Sequence, residues 1–92
     1  MISTRYKLKL ACQVAAPLAT VIARSSSDDA TANWANNVAR TANSVLFALD
    51  LPKPPITQLC ITRIKSALSS YPMSYQKQAK QLGELFTSLV EA

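Results

Sequence analysis

The chain has 92 residues, 49% hydrophobic and 16% charged, a balance that supports one packed domain and excludes both a two-domain protein and a disordered one. Ten Lys and Arg against five Asp and Glu give a net charge of +5, and there is no histidine, so imidazole bases and histidine metal ligands are ruled out. A single glycine, Gly83, leaves no material for a phosphate-cradling loop, which needs several glycines close together.

Strand signals are few, because β-branched residues never alternate with polar ones over a useful length; helical spacing runs throughout. The first predicted helix covers about residues 4–24. Its start has some look of a signal peptide, with Arg5, Lys7 and Lys9 ahead of an uncharged run from Leu10 to Ala23. Gln13 and Pro17 interrupt that run and its period is helical, which favours a cytosolic location. The run is also shorter than the roughly 20 apolar residues of a membrane span. Leu10, Val14, Leu18, Val21 and Ile22 are expected on the core face, with Arg5, Lys9, Gln13, Thr20 and Arg24 opposite. Pro17 removes a backbone donor and crowds the Gln13 carbonyl, which predicts a kink or an early break.

Ser27 followed by Asp28 and Asp29 supplies a capping hydroxyl and first-turn carboxylates for a second helix over about residues 28–50. Trp34, Val38, Ala42, Val45 and Leu49 form its apolar stripe; Phe47 projects to the polar side, where packing against a neighbouring helix is the expectation. Leu51-Pro52-Lys53-Pro54-Pro55 then stops the helix, and Pro54 or Pro55 suits the first turn of a third helix over about residues 55–69. Ile56, Leu59, Cys60, Ile64, Ala67 and Leu68 make its apolar face. After Ser70-Tyr71-Pro72, Ser74 is expected to cap a fourth helix over about residues 74–91, with Tyr75, Ala79, Leu82, Phe86, Leu89 and Val90 inward. Cys12 and Cys60 lie within apolar stripes and are expected as buried free thiols. Four amphipathic helices joined by short connections bury their stripes only against each other, so the predicted fold is all-α, an antiparallel up-and-down four-helix bundle occupying residues 1–92 as one domain.

Little in this set suggests catalysis. Asp28 and Asp29 read as helix-start charges, Glu84 and Glu91 fall on the outward face of the last helix, and the cysteines lack an activating partner. The expectation is a protein that is not an enzyme and carries no cofactor or metal. From Leu51 onward there are five positive and two negative residues, too dilute to compel phosphate binding, and no recognition helix is evident. A moderately basic helical surface also suits an anionic membrane face.

The run from Ala48 to Leu89, ALDLPKPPITQLCITRIKSALSSYPMSYQKQAKQLGELFTSL, resembles the immunity proteins of pediocin-like bacteriocins. The matching features are a Leu-Asp plus proline break before the third helix, an Ile-x-x-Leu start, and a Met-Ser-Tyr-Gln opening to a Lys- and Leu-rich last helix. The resemblance implies a cytosolic four-helix protein, peripheral to the inner face of the membrane. Such a protein protects a bacteriocin producer by associating with the mannose phosphotransferase membrane receptor once the peptide has engaged it. In the family, the hairpin of helices three and four and a following tail influence which peptide is resisted; here the hairpin corresponds to Ile56 to Leu89, and the sequence ends at Ala92 with almost no tail. Candidate contact residues on that hairpin are Lys65, Tyr71, Tyr75, Lys77 and Lys80, with Arg63 at its edge. On this reading the protein is a monomer with a membrane-protein partner and binds no nucleic acid. The alternatives are a small basic nucleic-acid-associated regulator, motivated by the +5 charge, and an inhibitor that occupies another protein's surface.

Overall fold

Each of the four predicted segments becomes a helix, and the order is α1 (Thr4–Ser25), α2 (Asp29–Leu49), α3 (Thr57–Ser69) and α4 (Gln76–Glu91) in a computed structural model that describes residues 3–91. The fold is an all-α four-helix bundle without strands among these residues.

The first helix opens where the Ser3 hydroxyl accepts the Tyr6 N–H at 3.2 Å. It runs unbroken past Pro17, against the expected break. The carbonyl that Pro17 leaves without a donor is that of Gln13, an exposed residue where water can replace the lost donor, so the missing bond does not stop the helix. The core face also differs from the expected one. Leu8, Ala11, Cys12, Ala15, Ala16 and Ala19 are buried, whereas Leu10, Val14, Leu18 and Val21 are turned outward and only Ile22 packs against the core. This helix is apolar on two faces, and the face made of small residues is the one that allows α2 to approach closely.

The second helix begins one residue later than its serine cap suggested. Asp28 holds the cap position, and Ser26 rather than Ser27 stabilises the turn by accepting the Asp28 N–H at 3.2 Å. Its expected stripe of Trp34, Val38, Ala42, Val45 and Leu49 is wholly buried. Phe47 is 72% exposed, which corrects the expectation that it packs: it stands on the far side of the helix, where no neighbour comes.

The prolines keep the chain out of helix until Thr57, so Pro54 and Pro55 lie ahead of α3 instead of in its first turn. Ile56 becomes the cap residue and is exposed, as is Leu59, while Ile61 takes a core position the sequence pattern did not assign to it. The face of α3 is centred on Cys60, Ile61, Ile64, Ala67 and Leu68, and Leu59 falls behind it. A single 3₁₀ turn, Met73–Tyr75, precedes α4. Ser74 sits in that turn and does not cap the helix; its hydroxyl bonds to Asp28 instead. The buried stripe of α4 is Ala79, Leu82, Phe86 and Val90, with Leu89 and Tyr75 partly covered.

The helices form a ring in which α1 packs most extensively on α2 and then on α4, α3 closes the ring between α2 and α4, and α2 and α4 scarcely touch. Arg5 and Lys9 near the start of α1 meet Leu49 and Asp50 at the end of α2, and Trp34 near the start of α2 meets Ala67 near the end of α3, so these two pairs are antiparallel. Cys12 and Cys60 are both buried and both free. Burial pushes the Cys12 thiol up to about 12, and the neighbouring Cys60 adds to the effect. No helix among the described residues is long and apolar enough to cross a membrane.

Candidate functional site

The α3–α4 hairpin is held from below by the first turns of α2. The Trp34 indole N–H donates to the Ala67 carbonyl at 3.0 Å, and the same ring packs on Tyr75 with centroids 5.8 Å apart and planes tilted by 49°. Trp34 therefore grips the end of α3 and the start of the last element together. At the α2 terminus the Asp28 carboxylate accepts from the Thr31 hydroxyl at 2.7 Å and from the Ser74 hydroxyl at 3.2 Å. The Thr31 hydroxyl is the main cause holding Asp28 below its usual carboxylate value; desolvation opposes it, and Ser74 and the backbone N–H groups of Ala30 and Thr31 add lesser lowering contributions. These contacts fix the connection between α3 and α4 at residues where a free loop would otherwise move.

Above that connection an open groove of about 610 Å³ runs between the two helices. Leu68, Ala79 and Gly83 supply its small and apolar lining, and Lys65, Lys80, Glu84 and Glu91 its charges. A Cβ added at Gly83 would meet nothing within 4 Å, so the glycine is not required by crowding or by backbone angle; its missing side chain widens the groove. Lys65 Nζ lies 3.8 Å from Glu91 Oε1 across the groove, a half-exposed pair worth about 0–1 kcal/mol and easily exchanged for a partner's charge.

Three of the six candidate contacts come together here: Lys65, Tyr71 and Lys80 all line the groove. Arg63 lies on the opposite flank of α3, in a shallower hollow against α2 that includes Asn37, Thr41 and Thr62. Lys77 is exposed and borders neither space, and Tyr75 is occupied in packing against Trp34. Sequence reasoning did not pick out Gly83, Glu84 and Glu91 as groove residues. A lone glycine inside an otherwise good helix was the available signal, since it costs the helix up to about 1 kcal/mol and calls for a reason.

The groove presents ammonium groups, carboxylates and hydroxyls around a narrow apolar floor. That mixture suits reception of a partner's side chains along a helix or an extended segment. In comparisons with known proteins, the chain matches no family model, no curated protein and no solved structure.

Proposed function

We propose that this protein confers immunity to a pediocin-like bacteriocin, acting from the inner side of the cell membrane by docking its α3–α4 hairpin on the receptor complex that the peptide has engaged. The observation that carries the reading is a coincidence of position. The segment from Ala48 to Leu89, whose sequence resembles the immunity family, contains the α3–α4 hairpin, and that hairpin carries a groove of about 610 Å³ lined by Lys65, Tyr71 and Lys80. A docking element of this kind gains from being held in shape before it meets its partner, because ordering costs then fall outside the binding step. Trp34 and Asp28 provide such a hold on the connection between the helices. The mechanism needs no chemistry on the peptide: it is occupancy of a surface, with the lysines favouring an acidic or anionic neighbourhood.

The test is growth inhibition of a sensitive bacterium expressing the chain, challenged with a panel of pediocin-like bacteriocins against an empty-vector control. Resistance to at least one peptide is expected, and Lys80→Glu should weaken it while leaving expression and helicity unchanged. Unchanged sensitivity to the whole panel, with the protein detected in the cells, overturns the reading.

A further inference from the structure

The largest departure of the fold from its sequence pattern is the outward apolar face of α1. Tyr6, Leu10, Val14, Leu18 and Val21 are between 39% and 61% exposed, and Pro17 stands exposed among them. They succeed one another at intervals of three and four residues along the solvent side of a 22-residue helix, which makes a ridge on the order of 20 Å long. A monomer in water has no use for such a ridge, and no other described residue covers it.

The charges on the same helix say what would cover it. Arg5, Lys7, Lys9 and Arg24 are its only ionisable acid–base side chains besides Tyr6 and Cys12, and α1 contains no carboxylate. Arg5 and Lys9 are engaged at the end of α2, but Lys7 and Arg24 have no acidic partner among the described residues and stand one turn beyond Leu10 and Val21, at the two ends of the ridge. A second copy packing its own α1 against this ridge would bring positive charges to meet positive charges, on a protein already at +5. A negatively charged apolar-cored surface meets both features at once.

We infer that the outward face of α1 is a docking face for anionic lipid bilayers, with α1 lying in the membrane plane. Side chains of the ridge enter the headgroup boundary while Lys7 and Arg24 meet the lipid phosphates. The helix lies on the bilayer and does not span it, in keeping with its flank packed on α2 and α4. This goes beyond the immunity reading and does not depend on it: the face belongs to a different helix from the hairpin groove, and its test involves neither bacteriocin nor receptor.

The experiment is co-sedimentation of the full chain with vesicles of phosphatidylcholine alone and of phosphatidylcholine with about one-third phosphatidylglycerol, at low and high salt. Binding is expected to the anionic vesicles, with at least a tenfold weaker partition to the neutral ones and a marked loss in high salt. Leu18→Glu combined with Val21→Glu should abolish it. Val21→Glu alone, at the most exposed position of the ridge, should lower it about tenfold with unaltered circular dichroism, so a folding failure of the double variant does not hide the answer. Phe47→Ser removes an even more exposed apolar side chain from α2 and should leave binding intact. No binding to anionic vesicles at low salt overturns the inference, as does binding that the α1 variants leave unchanged. Sedimentation showing a dimer that Val21→Glu dissociates also overturns it, and assigns the ridge to a second copy.

Discussion

Trp34 and Asp28 show how much of the hairpin's position rests on single side chains. Trp34 does so with an indole that is both a hydrogen-bond donor to Ala67 and a packing surface for Tyr75. Asp28 does so with one carboxylate oxygen shared by two hydroxyls from different parts of the chain. Because the folded pKa of Asp28 is depressed below 3.8, the carboxylate contributes stability at pH values above 3.8 that is lost as pH falls through and below it. Asp28→Asn should therefore lower the melting temperature near neutrality, and the difference from the parent should shrink towards zero as the pH is brought down to about 2. A melting series over that range checks it; a constant difference at all pH values would show that the carboxylate charge plays no part. Trp34 was legible from the sequence as core, because it opens a stripe of apolar residues spaced three and four apart. The Asp28–Ser74 bond was not, since both residues have good local uses as helix caps and nothing in the spacing joins two positions 46 residues apart.

At the scale of the elements, legibility followed how one-sided each helix is. In α2 and α4 most large apolar residues, Phe47 and Leu85 excepted, occupy a single face, and the stripes read from the sequence hold the buried residues, from Trp34 to Leu49 and from Ala79 to Val90. In α1 two apolar faces compete, and ranking by size selects Leu10, Val14, Leu18 and Val21, whereas the bundle buries Ala11, Cys12, Ala15 and Ala19. The deciding quantity is the distance between helix axes, which small side chains shorten and which no single-helix pattern contains. The same separation between local and tertiary reasons applies to α3, where three prolines delay the start and leave Ile56 and Leu59 in solvent. Of the candidate site, Lys65, Lys80 and Tyr71 were legible as part of a basic, aromatic hairpin; the groove itself was not, because it arises from the separation of two helices. Gly83 in α4 provides a test of that separation. Gly83→Ala should stabilise the protein by up to about 1 kcal/mol, raising the melting temperature by about 4–8 °C, since the methyl meets open space and only helix propensity changes. Destabilisation instead would mean that α3 and α4 sit closer in solution than this groove allows.

For the whole molecule, the two thiols report on the integrity of the core. Cys12 lies on α1 and Cys60 on α3, and both thiols are buried in the one core that the helices enclose. The folded state keeps Cys12 neutral up to about pH 12 while an unfolded thiol ionises near 9.0, so its contribution to stability is complete below 9.0 and is lost as pH rises from there towards 12. The parent's urea midpoint should fall between about pH 8 and about pH 11, and Cys12→Ala should fall less over the same interval. Equal slopes would place the thiol in contact with water. One further property of the fold follows from the basic end of α1. The last turn of α2 has no cation of its own and no glycine after it. Its terminal carbonyl at Leu49 receives Arg5 and its final carboxylate at Asp50 receives Lys9, the latter at 3.1 Å, from positions 44 and 41 residues earlier in the chain. The second helix thus completes its closing turn only with the first alongside it. An isolated α2 peptide should therefore fray at the end from which the proline linker, and with it the hairpin, departs.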